Sequence, residues 1–230
     1  MERFRLSRGD GRTEMVFDDG GLNLLSSAAL RELQSSIRTL RVYNDASMLV
    51  FRSGRPHVFA AGADMAEMAG FSGWDAWKFS RLGQEVFSAI EALPALTVAL
   101  VDGDCFGGAL DLILAFDLRI ATPRSRFAHP GARLGIVTGF GGTSRWRGLL
   151  ARPAANALFL RNSVLSAEEA MGLGLVDRIS EIPDREIEPL QHLERSEVRI
   201  AIELARHAHA LSATQQLRMS RLLSRIYSDA

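Results

Sequence analysis

The first half of the chain alternates between segments with strand periodicity and segments with helix periodicity. Apolar and polar residues alternate over 4–7 and again over 13–17, and the Gly-Asp-Gly turn at 9–11 between them predicts a β-hairpin. From Ser26 or Ser27, apolar residues recur every three or four positions as far as residue 40. This spacing predicts an amphipathic helix with a serine N-cap.

Short continuous apolar runs at 48–51 and 96–101 predict buried strands, and a helix is predicted over 74–93 between them. A further helix is predicted from Gly108 to Phe116, before a strand at 118–121. This order predicts an α/β fold in which helices cover parallel strands. After about residue 151 the pattern becomes mainly helical, with helices predicted over 153–160, from 166, and in one or two arginine-rich segments up to the end.

Composition indicates which binding partners and which cellular compartment to expect for the protein. The 230 residues are 47% hydrophobic, and 27 basic residues balance 27 acidic ones to a formal net charge of +0. No basic field is available to recruit nucleic acid or a membrane, and no apolar stretch approaches the roughly 18 residues of a membrane span. The single cysteine, Cys105, and an N-terminus without the apolar run of a signal peptide predict a cytoplasmic protein.

Two strand-to-helix junctions rich in glycine, at 60–64 and 103–108, are the first candidates for chemistry. Glycine lets the backbone approach a ligand closely, and the first N–H groups of a helix have no partner within it. Two such N–H groups on one oxygen would form an oxyanion hole, in which each donor stabilises a transition state by roughly 2.7–4 kcal/mol. Ordinary turns have the same composition, so spacing alone leaves both interpretations open.

Other kinds of site find little support in the sequence. The junctions lack the Gly-x-Gly-x-x-Gly and Gly-Lys-Ser/Thr patterns of nucleotide sites, and the Gly-x-Ser-x-Gly pattern of serine hydrolases is absent. The five histidines form no recognisable set of metal ligands, so no metal is expected.

Asp111 is the carboxylate with the strongest claim to a functional role. It falls in the first turn of the helix predicted after Gly108, among apolar neighbours where a charge adds nothing to solubility. Burial would raise its pKa and the helix N-terminus would lower it, so the sequence does not give the net direction. Asp111 is therefore either an acid/base or a cap on its own helix. Asp117, before the next strand, is predicted to be structural.

Several segments in order along the chain resemble the enoyl-CoA hydratase/isomerase, or crotonase, superfamily. Residues 59–68 (FAAGADMAEM) resemble the first oxyanion-hole loop of that family, and 101–112 (VDGDCFGGALDL) resemble the second. The other segments that carry the resemblance are 117–121 (DLRIA), 126–130 (RFAHP), 134–136 (LGI), 141–143 (GGT), 166–170 (SAEEA) and 172–176 (GLGLV). Together they cover roughly residues 21–179.

The resemblance implies a crotonase fold, with a β-β-α spiral core over 1–180 that holds an acyl-CoA site and a helical trimerisation region over 181–230. The N–H groups of Ala63 and Gly108 would hold the thioester oxygen of an acyl-CoA while an enolate forms. Ala61, Asp64 and Gly107 would contact the CoA. The family implies a homotrimer or homohexamer, and no cofactor other than coenzyme A as part of the substrate.

The chain departs from the family at its acid/base residues. Hydratases of the family carry two glutamates that orient a water; the first position is Asp111 here, and the second is Gly131. Dienoyl isomerases carry aspartate at the first position, but their other acids would fall at Gly131 and Gly139. His129 is a candidate proton carrier, although such a histidine is more often a packing residue.

Weaker candidates surround these positions. Thr138 and Glu67 are weaker candidates for a role in proton transfer, and Glu67 is expected to face solvent on its helix. The aromatic residues after the first junction either line an acyl pocket or pack a helix, and core packing is the prediction; these are Phe71, Trp74, Trp77 and Phe79.

Three functions remain open from the sequence. The leading hypothesis is an enoyl-CoA hydratase or isomerase that stabilises a thioester enolate with an incomplete acid/base pair. The second is a crotonase-type decarboxylase, which needs the oxyanion hole but no carboxylate base. The third is a family member without catalysis that binds CoA or a partner protein.

Overall fold

A computed structural model describes residues 2–9, 11–42, 47–136, 138–161 and 163–192. The strands are β1 (Phe4–Gly9), β2 (Arg12–Phe17), β3 (Leu24–Leu25), β4 (Met48–Ser53), β5 (Val58–Ala60), β6 (Gly62–Ala63), β7 (Leu96–Val101), β8 (Asp104–Phe106), β9 (Leu118–Ala121), β10 (Arg126–Ala128), β11 (Leu165–Ser166) and β12 (Arg178–Ile179). The α-helices are α1 (Ser27–Val42), α2 (Met65–Met68), α3 (Gly73–Glu91), α4 (Gly108–Ile113), α5 (Gly142–Arg145), α6 (Arg152–Phe159), α7 (Ala167–Gly172) and α8 (Pro183–Ile187). Short 3₁₀ turns cover Pro130–Leu134, Trp146–Gly148 and Glu188–His192.

The larger sheet has six strands in the order β1-β2-β4-β7-β9-β12. The predicted hairpin is confirmed, because β1 and β2 pair antiparallel from Phe4 opposite Phe17 to Gly9 opposite Arg12. The other pairs, from β2–β4 to β9–β12, are parallel. The predicted α/β fold with parallel strands and intervening helices is therefore confirmed.

Both faces of this sheet are covered, which explains why its central strands are continuous apolar runs. On β4, the side chains of Leu49 and Phe51 enter the main core, while those of Met48 and Val50 enter a smaller cluster on the opposite face. Neighbouring strands alternate in the same way, as the period of two along a strand requires. Helices α1 and α3 pack on each other along the main core.

A second sheet, in the order β11-β10-β8-β5, brings the two glycine junctions together. Strand β5 pairs parallel with β8, so both strands end at the same edge of the sheet. The chain after β5 forms β6, which pairs with β3, and the chain after β8 enters α4. Parallel pairing thus places both junctions side by side at the carboxyl ends of their strands.

Helix α3 begins slightly earlier than predicted because Ser72 and Asp75 form a reciprocal capping box at its N-terminus. Helix α4 ends at Ile113, three residues before the prediction. The amides of Ala115 and Phe116 bond to carbonyls three residues back, so the chain tightens there rather than continuing as α-helix. Phe116 then packs on Phe51, with ring centroids 5.5 Å apart.

Two of the aromatic residues after the first junction do not pack in the core as predicted. Trp74 and Trp77 are 62% and 53% exposed, and their rings stack on each other with centroids 4.6 Å apart. They lie three residues apart on the outer side of α3, and stacking keeps part of their apolar surface from water. Phe79 is buried, so the packing prediction is confirmed for that residue.

The region after residue 180 begins with α8, which packs against the larger sheet. Ile187 is fully buried in the smaller apolar cluster with Val50 and Val98. The predicted helices beyond residue 192, and the trimerisation role given to 181–230, lie largely outside the described residues and stay predictions. Within the described part of the chain, no helix has the length and apolar character needed to cross a membrane.

Asn23 ties three strands together below the first junction. It is fully buried, with φ of 53°, a left-handed conformation that asparagine adopts more readily than most residues. Its amide nitrogen lies 3.0 Å from the carbonyl oxygens of both Phe17 and Phe59 and 2.8 Å from Ser53 Oγ. Its Oδ1 accepts a bond of 3.0 Å from the Asp19 amide.

We expect Asn23→Ala to lower the free energy of unfolding by about 3 kcal/mol, since buried backbone carbonyls would lose their donor. The control is Asn156→Ala on α6, where the asparagine is exposed. That variant should change the free energy by less than about 0.5 kcal/mol. Urea unfolding followed by circular dichroism measures both, and equal stability of the two variants would contradict the role given to Asn23.

Candidate active site

The two glycine junctions are in direct backbone contact. Gly62 has φ of 96°, and a β-carbon there would lie 2.6 Å from the Phe106 carbonyl oxygen and 3.0 Å from the Gly108 amide nitrogen. Only glycine fits at this position, on both conformational and steric grounds. The glycines of the two junctions therefore serve a close approach of two chain segments, which ordinary turns would not require.

Gly108 and Ala63 border the same cavity from the two junctions. Gly108 is the first residue of α4, whose first amides have no partner within the helix. Ala63 ends β6 on the other side of the contact. Glycine and alanine at these two positions place no large side chain of their own in the cavity.

The cavity has a volume of about 310 Å³ and opens to solvent. Its walls are mostly apolar, with Asp111, His129, Thr138 and Ser80 as the polar side chains. The residues that line it are Ala61, Ala63, Met65, Met68, Ala76, Phe79, Ser80, Gly107, Gly108, Asp111, His129, Pro130, Gly131, Leu134, Ile136, Thr138, Gly139 and Phe140. An apolar cavity with a few convergent polar groups is the usual form of a small-molecule site.

Asp111 reaches the cavity from the buried side of α4, with 1% of its surface exposed. The alternative that it caps its own helix is wrong, because the N-cap is Gly107 and no side chain caps this N-terminus. Its Oδ2 instead accepts a short hydrogen bond from the hydroxyl of Thr138. Its Oδ1 is buried, and no hydrogen bond of normal geometry from the described residues reaches it.

Burial raises the pKa of Asp111 from its ordinary value of 3.8 to about 7. The hydrogen bond from Thr138, the charge of Arg145 and the nearby amides of Phe140 and Gly142 oppose that rise because they favour the ionised form. The carboxyl group therefore exchanges its proton near neutral pH, as an acid/base requires.

His129 faces the same oxygen of Asp111. Its Nε2 lies 3.8 Å from Asp111 Oδ1, and its ring centroid lies 4.9 Å from that of Phe159 on α6. Burial lowers the pKa of His129 below 6.5, so the imidazole is neutral at pH 7. The geometry gives this histidine both a packing contact and a place beside the carboxylate.

No side chain fits where the second carboxylate of a hydratase would begin. Gly131 is buried, and a β-carbon there would lie 2.7 Å from the carbonyl oxygen of Ile136. The same β-carbon would lie 3.1–3.2 Å from two atoms of the His129 ring. Backbone and imidazole occupy the space, so Asp111 is the only carboxylate among the described residues that line the cavity.

Asp64, at the end of the first junction, and Glu67, three residues after it, both have structural partners. Asp64 does not line the cavity; its carboxylate caps α2 by accepting from the amides of Ala66 and Glu67. The prediction that Glu67 faces solvent is wrong, because its Oε2 accepts a bond of 2.8 Å from the Ser27 amide at the start of α1. A carboxylate is favoured at the start of α1 by the helix dipole.

Asp117 is structural as predicted, since its carboxylate accepts two hydrogen bonds from Thr97, one from the amide and one from the hydroxyl.

Phe140 is the cavity residue that the sequence analysis missed. Its ring takes the space that side chains at two glycines would need: a β-carbon would lie 2.1 Å from it at Gly83 and 2.8 Å at Gly108. It forms the wall between α3 and the second junction. The signal in the sequence was indirect, because it lies in Gly83, a glycine on the buried face of α3 that leaves room for the ring.

Metal and thiol chemistry have no visible basis in the described part of the chain. No group of three or more histidine, cysteine, aspartate or glutamate side chains there is arranged to hold a metal ion. Cys105 is fully buried on β8, and burial raises the pKa of its thiol well above the ordinary value.

The sequence is similar to two curated hydratases over about two thirds of this chain. A crotonyl-CoA hydratase of Syntrophomonas wolfei is 34% identical over 158 residues, which are 69% of this chain and 61% of that protein. A short-chain-enoyl-CoA hydratase of Clostridium acetobutylicum is 33% identical over 160 residues, again 61% of its length and 70% of this chain. The matched part of the chain thus spans 61% of the length of these curated relatives.

Comparison of structures confirms the predicted crotonase fold. The crystal structure of an enoyl-CoA hydratase from Thermoplasma volcanium superposes with a TM-score of 0.91 at 22% sequence identity, covering 100% of this chain and 94% of that one. The family model for enoyl-CoA hydratase/isomerase matches residues 10–227, nearly the whole chain. The junction contact, the fold and this match lead to one assignment: the chain belongs to the enoyl-CoA hydratase/isomerase family.

Proposed function

We propose that this protein is an acyl-CoA enzyme, an enoyl-CoA hydratase or isomerase that stabilises a thioester enolate and moves its proton with Asp111. The observation that carries the proposal is a buried carboxyl group, ionising near neutral pH, in the cavity that the two junctions border. The relatives named above as hydratases of crotonyl-CoA and short-chain enoyl-CoA support substrates of that class.

The first role falls to the amides of Ala63 and Gly108, which would donate to the thioester oxygen. Negative charge grows on that oxygen as the enolate forms, and fixed donors in an apolar cavity stabilise it more than water would. Rigid backbone contact at Gly62 supports this role, because the donors need no reorganisation when the charge develops. In this proposal Ala61 and Gly107 contact the CoA from the rim, and Asp64 acts through the turn that it caps.

The second role falls to Asp111, which would take or give the proton of the carbon chain. A carboxyl group with a pKa of about 7 is present in both forms at neutral pH, so it can act in either direction. His129 is proposed as an accessory group that orients a water or carries a proton, at 3.8 Å from the same oxygen. In a hydration reaction, Asp111 and His129 would together orient the attacking water, in place of the pair of glutamates.

No further cofactor enters this proposal, since coenzyme A arrives with the substrate and a carboxylate with two amides suffices for enolate chemistry. The homotrimer or homohexamer expected from the family stays a prediction, because most of the C-terminal region lies outside the described residues.

Asp111→Asn tests the acid/base role with the smallest change of shape. We expect hydration of crotonyl-CoA and deuterium exchange at the α-carbon of butyryl-CoA to fall by at least about 100-fold, because the amide cannot accept the proton. Mass spectrometry of the recovered thioester measures the exchange. The matched control is Asp117→Asn at the end of the same segment, which should keep exchange in the folded protein.

Two results would argue against the proposal. Exchange that survives Asp111→Asn at the wild-type rate would remove Asp111 from the mechanism. Release of CO2 from malonyl-CoA, unaffected by Asp111→Asn and without any exchange, would point to the decarboxylase alternative instead.

A buried acid with a raised pKa also makes stability depend on pH. Folded Asp111 ionises near pH 7 and the unfolded residue near 3.8, so its contribution to stability is complete below about pH 4 and is lost as pH rises through 7. Asp111→Asn should therefore gain stability over wild type across this range, by up to about 4 kcal/mol. Urea unfolding from pH 4 to 8.5 measures the difference, and a difference that does not change with pH would contradict the burial argument.

A further inference from the structure

The two oxygens of Asp111 have different surroundings. Oδ2 accepts the hydroxyl of Thr138, which lies 27 positions further along the chain. No hydrogen bond of normal geometry reaches Oδ1 in the described parts of the chain, although this oxygen is buried, the amides of Phe140 and Gly142 lie near the carboxyl group, and Oδ1 is 3.8 Å from His129 Nε2. A buried carboxylate oxygen without a well-formed hydrogen bond is costly, so Oδ1 is expected to meet a water or a ligand when the site is in use.

The segment that carries Thr138 is held in place by α3. The carbonyl oxygen of Gly139 accepts from Ser80 Oγ at 2.6 Å and from Gln84 Nε2 at 2.9 Å. The next carbonyl, that of Phe140, accepts from Arg145 Nη1 at 2.9 Å. These bonds leave the backbone beside Thr138 little freedom, so the position of the hydroxyl is fixed by the fold.

Arg145 links this segment to α3 a second time. Its guanidinium donates to both carboxylate oxygens of Glu91, at 2.9 and 2.7 Å. An arginine held on two sides in this way adds geometric rigidity as well as charge.

Gly142 leaves room for the side chains of Asp111 and Thr138 to meet. A β-carbon at Gly142 would lie 1.9 Å from Asp111 Oδ1 and 2.9 Å from Thr138 Oγ1. Any side chain there would displace one partner or the other. The absence of a side chain at Gly142 is therefore part of how the carboxylate and the hydroxyl come together.

We infer that Thr138 is a positioning residue: its hydroxyl holds Oδ2 and leaves Oδ1 as the oxygen that exchanges a proton with the acyl-CoA. This inference rests on the proposed function and deepens it. Oδ1 takes the proton from the carbon beside the thioester carbonyl, and the C–H electron pair becomes the enolate. The same oxygen returns the proton when the enolate collapses, so charge and protons balance within the site.

The hydroxyl of Thr138 also affects the pH at which the Asp111 carboxyl group ionises. It donates to the charged form of the carboxylate, so it lowers the pKa of Asp111 against the effect of burial. The other titratable or charged groups that act on this carboxyl group are His129, Arg145 and Cys105. Of these, His129 is neutral and the Cys105 thiol protonated at pH 7, which leaves Arg145 as the charged neighbour.

Thr138→Val removes the hydroxyl and keeps the branched shape, and Thr138→Ser keeps a hydroxyl. We expect the pH midpoint of α-proton exchange to rise by roughly one unit in Thr138→Val, since a hydrogen bond to a charged group is lost. Exchange at pH 7 should then fall about fivefold and recover by pH 9, with little change in KM. Thr138→Ser should have a midpoint close to that of wild type.

A second measurement does not depend on turnover. In protein labelled with ¹³C at the aspartate carboxyl groups, the signal missing from Asp111→Asn identifies Asp111, and its NMR titration gives the midpoint in each Thr138 variant. A midpoint that stays at the wild-type value or falls in Thr138→Val would overturn the inference. If the midpoint rises as expected but no CoA thioester is exchanged or turned over by wild type, the inference about Thr138 stands and the proposed function fails.

Discussion

At Gly62 the backbone of one junction lies against the carbonyl of Phe106 and the amide of Gly108, and a β-carbon there would meet that carbonyl oxygen at 2.6 Å. This contact between two segments more than forty residues apart depends on the parallel pairing of β5 with β8. The pairing sets the register of both strand ends, and the glycines permit the remaining approach. Ala63 and Gly108 border one cavity because of this contact, so the proposed site depends on it.

Burying the Asp111 carboxyl group beside this cavity lowers the stability of the fold when the group is ionised. Asp111 lies in the first turn of a helix of six residues, where the dipole favours a negative charge, but burial outweighs that effect and raises the pKa to about 7. A fully exposed aspartate would be ionised at all physiological pH values and would be a poor proton donor. The same burial that reduces stability above pH 7 thus gives the carboxyl group the pKa that the proposed proton transfer needs in both directions.

Most of the fold followed from the sequence, because its elements are defined by short-range patterns. The hairpin, the apolar strands β4 and β7, and the capped helices α1 and α3 all show the periodicity of their structure. Trp74 and Trp77 were wrongly placed in the core, because helical spacing gives the relative direction of two side chains but not what covers them. The glycine junctions and Asp111 could be selected from the sequence, and the family resemblance placed them in one site.

The sequence could not provide the surroundings of these residues. The pKa of Asp111 depends on two opposing effects whose sizes come only from the packing. The hydrogen bond from Thr138 to Asp111 joins residues that are far apart in the sequence. The bond from α3 that holds the Thr138 segment in place goes to a backbone carbonyl group, and backbone groups carry no sequence signal. Phe140 was missed for a similar reason, since what identifies it is the lack of side chains at the glycines around its ring.

The missing carboxylate at Gly131 has a physical meaning beyond the loss of a side chain. The carbonyl of Ile136 and the ring of His129 fill the space where a β-carbon of residue 131 would lie, so the local backbone leaves no room for a side chain there. In the proposed mechanism, proton transfer is therefore assigned to Asp111 alone, whose two oxygens have different neighbours, Thr138 at Oδ2 and His129 at Oδ1. The resemblance to the family implies two carboxylates at this site, whereas Asp111 is the one carboxylate that lines the cavity in the described part of the chain. Under the proposed function, the different surroundings of its two oxygens would take the place of the second carboxylate.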